Sequence, residues 1–482
     1  MPSAPDSLRV RVAYEDVITF INAAFSCTGQ REYYGARAGQ QVSIAFLHEY
    51  MRVNYRRLYA RCLAVDVNHF NRGRIITGLL STTDAAEPSE RALEGALVQV
   101  ALRQLPAPRA LDALDGLRRA RVNNRRARAV IRDYLAGRPD PDFDAVKYRG
   151  RIRALAAHAH LRTSPERARF LFGDPAKGPA FETPMFDAFR RAHFEEEAIY
   201  QLPYTVAEGF AARHGVPRAR FLARAEDTMT RAEKARMQAA LQRTDAEHEV
   251  DFSSATLAQL ASVVVNLPLE ARAEARGLWQ DRLHAAARRT LRAAPLALGR
   301  VALVLDRSRS MQGSAEKRRR PLAVALAVEA LVRAAARSCE VFWTAPVEHG
   351  VLATPYGGSD LAGPLIEALR TDPEVVLIVS DGFDNDPPGG ADVALRAFKR
   401  DLDPKGRVSI VHLNPVFDDV SYAPRVLSPA VPTVGLRDAR DLPAALGFAR
   451  LAAGTASLEE VEAYLQRRAE ALLAKEGRGD AE

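Results

Sequence analysis

The run Val301–Ala302–Leu303–Val304–Leu305, ending in Asp306, constrains this chain more than any other stretch. Unbroken apolar residues with no polar alternation read as a strand buried on both faces, as in a parallel sheet flanked by helices. The pattern then alternates. A helix is expected from Pro321 to Arg337, a strand at CEVFWTA, a helix from Leu361 to Leu369 and a strand at VVLIVSD. Next come a helix near Val393–Asp401, a strand at RVSIVHL, a short apolar run VPTVGL and a helix near Ala439–Leu451. Strands alternating with helices predict a doubly wound parallel sheet.

In an open α/β sheet, ligands collect beyond the carboxyl ends of the strands. Asp306 stands at such an end, with hydroxyls at Ser308 and Ser310 in the loop that follows. Asp381 ends a second strand, and the loop Tyr356–Gly357–Gly358–Ser359 brings a further hydroxyl just before a helix. Hard oxygens from three loops, with only two carboxylates among them, suit Mg²⁺ or Mn²⁺ with waters and an open position. Enzyme readings lack their parts. A haloacid dehalogenase-type phosphatase needs an Asp where Ser308 stands. No phosphate-cradling glycine motif follows a strand, and no nucleophile, base and orienter come together from local spacing. The chain reads as a binding protein without catalysis.

Upstream, from about residue 14 to 292, apolar residues recur at three- and four-residue spacing in stretches such as VSIAFLHEYM, ALEGALVQVALRQL and ATLAQLASVVVNL. Short Gly and Pro breakers separate them, as at Pro106–Ala107–Pro108 and Gly215–Val216–Pro217. The fold class expected is therefore an all-α helical-repeat domain, a HEAT-like ring or solenoid, followed by the doubly wound α/β domain. The boundaries expected are 1–294, 295–454, and 455–482 for a last helix (Leu458 to Leu473) with a disordered GRGDAE tail. No apolar run approaches the roughly 18 residues that cross a bilayer. No secretory leader is evident, and the three cysteines lie far apart, so a cytoplasmic protein is expected.

The net charge of +8 is unevenly placed. Residues 1–160 hold 25 Lys+Arg against 16 Asp+Glu, a local +9, so essentially all of the chain's surplus lies in this first third. Such segregation fits an anionic partner such as RNA. Arg118, Arg121, Arg125, Arg128 and Arg132 follow a helical course, so one helix face is expected to carry a guanidinium stripe that suits phosphate. A second candidate is the stretch from Tyr50 to Arg61. Read as one helix, it sets Tyr50, Asn54, Arg57 and Arg61 on one side. The stretch Asn68–Arg74, with Arg72 and Arg74, reads as a basic loop beside it. Aromatic rings beside arginine are how single-stranded RNA is commonly held. The opposing reading for both candidates is ordinary packing and ion pairing.

Two resemblances follow from these residues. Asp306-x-Ser308-x-Ser310, the Gly-Gly-Ser359 loop and Asp381 resemble the metal-ion-dependent adhesion site of von Willebrand factor A domains, with Ser359 in place of the usual threonine. That resemblance implies direct metal ligation by Ser308, Ser310 and Ser359, with Asp306 and Asp381 acting partly through water. A partner's carboxylate would complete the shell. The order of a basic helical half and then this domain resembles the Ro autoantigen (TROVE) family, with loosely similar stretches at FSCTGQREYYG and KYRGRIRALAAHAH. It implies a bacterial ribonucleoprotein that binds small non-coding or structured RNA and docks a protein partner, typically an exoribonuclease. The alternative is an A-domain adaptor of a MoxR-type AAA+ ATPase, with no RNA role.

Overall fold

The computed structural model describes residues 4–82, 87–225, 229, 233, 255–453 and 456–479. Helices α1 (Ala4–Ser26), α2 (Arg37–Asn54), α3 (Arg56–Arg61) and α4 (His69–Ser81) open the chain. Helices α5 (Pro88–Gln104), α6 (Ala107–Arg119), α7 (Arg125–Ala136), α8 (Pro141–Lys147), α9 (Arg149–His158) and α10 (Pro165–Phe172) follow. Then come α11 (Pro184–Arg191), α12 (Glu196–Ile199), α13 (Tyr204–Arg213), α14 (Arg218–Ala225), α15 (Leu257–Asn266), α16 (Leu269–Glu274) and α17 (Arg276–Ala293). From Leu298 onward, strands and helices alternate as β1 (Leu298–Leu305), α18 (Arg320–Ala335), β2 (Ala336–Trp343), α19 (Ala362–Arg370), β3 (Val375–Val379), α20 (Gly390–Ala397), β4 (Ser409–Asn414), β5 (Thr433–Gly435) and α21 (Leu442–Ala452). The last helix, α22 (Leu458–Gly479), runs into the segment expected to be a disordered tail, whose final three residues lie outside the described ones. No described helix is long and apolar enough to cross a membrane.

All five strands are parallel, in the order β2-β1-β3-β4-β5. Side chains alternate between faces along a strand. On one face Ala302, Val304, Val376, Ile378 and Ile410 meet Leu361, Leu365, Ala368, Ala391 and Leu395 from α19 and α20. The intervening Leu303, Leu305, Leu377 and Leu413 are fully buried as well. Helix α18, buried without interruption from Pro321 to Val332, packs against β1 and β2. A helix apolar all round must be covered on its outer side too, and α15 and α17 supply that cover.

This packing explains how the compact units divide. One comprises residues 1–75 with 251–482, the other residues 76–250. The change from helix to strand falls near the expected residue 294, but the helices on either side of it share a core. Helix α1 buries Val17, Phe20, Ile21 and Ala24, an i, i+3, i+4, i+7 stripe. Asn22 on α1 donates from Nδ2 to the carbonyl of Thr433 (3.1 Å) and accepts from the Gly435 amide at Oδ1 (3.2 Å), so a helix amide satisfies the edge strand β5. A Cβ on Gly435 would lie 2.6 Å from the Asn22 carbonyl oxygen, which requires glycine there.

Candidate functional site

The strand order reverses between β1, flanked by β2 on one side, and β3, which starts the run to β5 on the other. That is a topological switch point, where the loops diverge and leave a crevice. Asp306 directly follows β1, and Ser380 and Asp381 follow β3. The Ser308 amide donates to Asp306 Oδ1 at 2.7 Å, the Ser380 hydroxyl donates to Asp306 Oδ2 at 3.0 Å, and Ser308 and Ser310 Oγ lie 3.0 Å apart. The glycine-rich loop is laced to this cluster through its backbone. Tyr356 N–H donates to the Arg307 carbonyl (2.7 Å) and Arg309 N–H to the Gly357 carbonyl (3.1 Å). Ser359 is held on its other side, its amide donating to Asn385 Oδ1 at 2.9 Å. At Gly382, φ is +80° and a Cβ would meet the Arg425 carbonyl oxygen at 2.6 Å, so only glycine lets the chain turn after Asp381.

The five residues expected from sequence are all nearly solvent-free, with Asp306 at 0% and Asp381 at 2% exposure. Among the described residues neither carboxylate has a Lys, Arg or His ion-pair partner. Burial, and then the charge of Asp381, push Asp306 up to about 7. Burial likewise raises Asp381, against hydrogen bonding from Ser310. The charge of Arg425 offsets part of the cost at Asp381, but two buried carboxylates ringed by serine hydroxyls, with no ion pair of their own, are an unfavourable arrangement by themselves. A divalent ion would reverse that local electrostatic logic. The donor set, carboxylate and hydroxyl oxygen only, fits Mg²⁺ or Mn²⁺. No group of three or more His, Cys, Asp or Glu placed to hold a metal ion occurs among the described residues.

Several residues of the site escaped the sequence reading. Ser380 belongs to the same SDG segment as Asp381, and a hydroxyl preceding the carboxylate was the available signal. Thr344, at the end of β2, approaches Asp306 Oδ1 at 3.5 Å and accepts from the Arg307 amide at 3.0 Å. Tyr34, from the distant FSCTGQREYYG segment, packs 4.3 Å from the Phe383 ring, and burial with the charges of Asp381 and Asp306 raises its phenol against the influence of Ser310. That segment is anchored by a buried Glu32–Lys317 ion pair and by the Ser314 hydroxyl donating to the Arg31 carbonyl (2.6 Å). No local pattern signals a contact across some 280 residues.

The basic candidates need correction. The stripe from Arg118 to Arg132 does not lie on one helix, because α6 ends at Arg119 and α7 begins at Arg125. Asn124 caps α7, accepting from the Ala127 amide at 2.8 Å, and donates to the Leu80 carbonyl at 2.8 Å. Arg121 adopts a positive φ of 57° in the turn between. Arg118 pairs with Asp115 at 2.6 Å. Arg125, Arg128 and Arg132 remain on one face of α7, with no acidic partner among the described residues. Neighbouring Arg126 instead pairs with buried Glu94.

The second candidate is two helices, since α2 stops at Asn54. Tyr50 and Tyr55 both donate to Asp16 Oδ2 at 2.8 Å. Arg61 is buried and donates to Gln466 Oε1 at 2.7 Å, while Arg57 reaches Glu462 at 3.5 Å. Both arginines are therefore committed to α22. The stretch expected as a basic loop is the start of α4, in which Arg72 is half-buried and Arg74 stacks on Phe70 at 4.9 Å. Buried Asn68 and Asn71 donate to the Ala24 and Cys27 carbonyls, which is why a polar run folds inward here.

These observations define a protein of helical hairpins followed by a parallel-sheet domain of the von Willebrand factor A type. No family model matches the sequence, and no curated protein matches it. Among solved structures, the Ro (RSR) protein of Deinococcus radiodurans superposes with a TM-score of 0.53 at 16% identity, covering 92% of this chain and 100% of that one. The chain has the Ro fold over nearly its whole length.

Proposed function

We propose that this is a Ro-like RNA-binding protein. Its helical part holds small non-coding or structured RNA, and its A-type domain docks a protein partner through Mg²⁺ or Mn²⁺ at Asp306, Ser308, Ser310, Ser359 and Asp381. The observation that carries this reading is the fold match along 92% of the chain. The surplus of +9 over residues 1–160 and the acid-free face Arg125–Arg128–Arg132 give the proposed RNA a phosphate-binding surface. The metal residues have the buried, hydroxyl-rich setting of a docking site. A partner's carboxylate, from an exoribonuclease under this reading, would fill the open position in a cytoplasmic complex.

Crosslinking in cells, followed by sequencing of the bound RNA, tests this directly. Enriched small RNAs, released as salt rises, are expected. Copurification of an AAA+ ATPase with no enriched RNA would replace this reading with the adaptor alternative.

A further inference from the structure

The edge of the sheet opposite the metal site carries a second, separate feature. Where α17 and the end of α18 meet the start of β2, a groove of about 460 Å³ is lined by His284, Arg288, Arg333, Arg337, Ser338 and Cys339. Because β1, β2 and β3 run parallel, Ala336 opens β2 at the amino edge, while Asp306 and Asp381 lie beyond the carboxyl edge. His284 and Arg288 are four residues apart on α17 and share its face. The guanidiniums of Arg333 and Arg337 come from the chain that passes from α18 into β2.

None of the lining residues is acidic. Of the acids nearby, Glu329 pairs with Arg333 at 3.0 Å and Glu374 with Arg337 at 2.9 Å and Arg300 at 3.4 Å, while Glu340 follows Cys339 on β2 but does not line the groove. Arg288 has no acidic partner among the described residues. The groove therefore presents an uncompensated guanidinium, flanked by two more and by a hydroxyl donor.

We propose that this groove binds the phosphodiester backbone of single-stranded RNA, an inference that rests on the RNA-binding reading above. Planar guanidiniums recognise phosphate oxygens in pairs, and a volume within the roughly 300–1,000 Å³ range of ligand clefts takes a short single strand rather than a duplex. The lining has no Phe, Tyr or Trp for bases to stack on. Binding here reads the backbone, so homopolymers of different base bind alike.

Cys339 serves as a built-in reporter. It lies in the groove and is partly exposed, whereas Cys27 and Cys62 are buried. Burial raises its thiol to about 11, so maleimide labelling is slow enough to time in mildly alkaline buffer. A single-stranded oligouridylate should slow the labelling of Cys339 in the full chain, and an oligoadenylate should do so equally. Salt should abolish the protection. Arg288→Glu should remove it and lower the log–log salt slope of oligonucleotide binding by about 0.7, the loss of one single-strand phosphate contact. Arg288→Gln, the milder change, should weaken protection without altering the circular dichroism spectrum.

If RNA binds but Cys339 reacts at its original rate, the groove is not an RNA site and only this inference fails. If no RNA binds at all, the wider reading fails with it. Protection by inorganic phosphate, with none by oligonucleotide, would also overturn the proposal and make this a small-anion site.

Discussion

Asp306 and Asp381 illustrate how a buried carboxylate is costly without an ion-pair partner of its own. Both are buried and each raises the other's charging energy, so Asp306 sits near 7 instead of at its ordinary value. Asp306→Asn removes one of the two charges while preserving shape. In chelator-treated protein this variant should melt at a higher temperature than wild type. Adding Mg²⁺ should then stabilise only the wild type, by about 2.7 kcal/mol at one hundred times Kd. Equal shifts in thermal melts of both proteins would remove Asp306 from the metal site. His48 makes the opposite kind of statement. Its ring is wholly buried between Tyr59 Oη (2.8 Å) and Asn71 Oδ1 (3.0 Å), and burial holds it down to about 3. The unfolded chain takes up that proton near 6.5, but the folded protein resists until about pH 3. Stability from this group is therefore complete above pH 6.5 and falls with acid, by at most about 1.4 kcal/mol per pH unit. Denaturant titrations between pH 7 and 5 should show a shallower loss for His48→Gln than for wild type.

At the scale of elements, the break between α6 and α7 matters most for the proposed RNA surface. It separates Arg118 and Arg121 from Arg125, Arg128 and Arg132, and Asn124 holds it in place. Asn124→Ala loses the cap and the bond to Leu80, and should destabilise the protein by about 1–2 kcal/mol in urea titrations. No loss would mean that the turn is held by other contacts. The arginines recur at helical spacing straight through this turn, so periodicity alone reads one helix where a cap makes two. The strands were far more legible. VALVL and VVLIV are buried on both sides by helices that follow them directly in sequence, so their pattern is a local consequence of their place in the sheet. That Asp306, Ser308, Ser310, Ser359 and Asp381 lie at one edge of the sheet was legible for the same reason, since strand ends and loops place them. Tyr34 and Thr344 were not, because their approach depends on packing between elements far apart in the chain. Arg61 is buried against α22, some 400 residues later, while Arg57 stays exposed and reaches Glu462 of the same helix.

For the whole molecule, the division into compact units has a direct test. The sheet domain depends on residues outside the 295–454 segment. The α1 stripe, with the Phe25 ring 5.6 Å from Phe448, and the α15 and α17 cover over α18 all come from earlier sequence. Burial of each large apolar side chain contributes about 1.5–3 kcal/mol. A 295–454 fragment should therefore unfold without a cooperative transition, whereas residues 1–75 joined to 251–482 should unfold cooperatively by circular dichroism. A cooperative transition in the shorter fragment would show that the sheet domain is self-sufficient.

The bond from Asn22 to Thr433 also sets a clock. Its partners are 411 residues apart, and at roughly 5–20 residues per second of synthesis the first waits about 20–80 s for the second to be made. During that interval Phe20 can already pack on His48 and Tyr59, but Asn22 lacks its β5 partners, while residues 76–250, contiguous in sequence, can already fold. Nascent α1 therefore keeps its β5-facing side open through most of translation, although its other side is already covered by neighbours made soon after it. A holdase that shields that helix would raise the yield of native protein more than one acting on the finished chain.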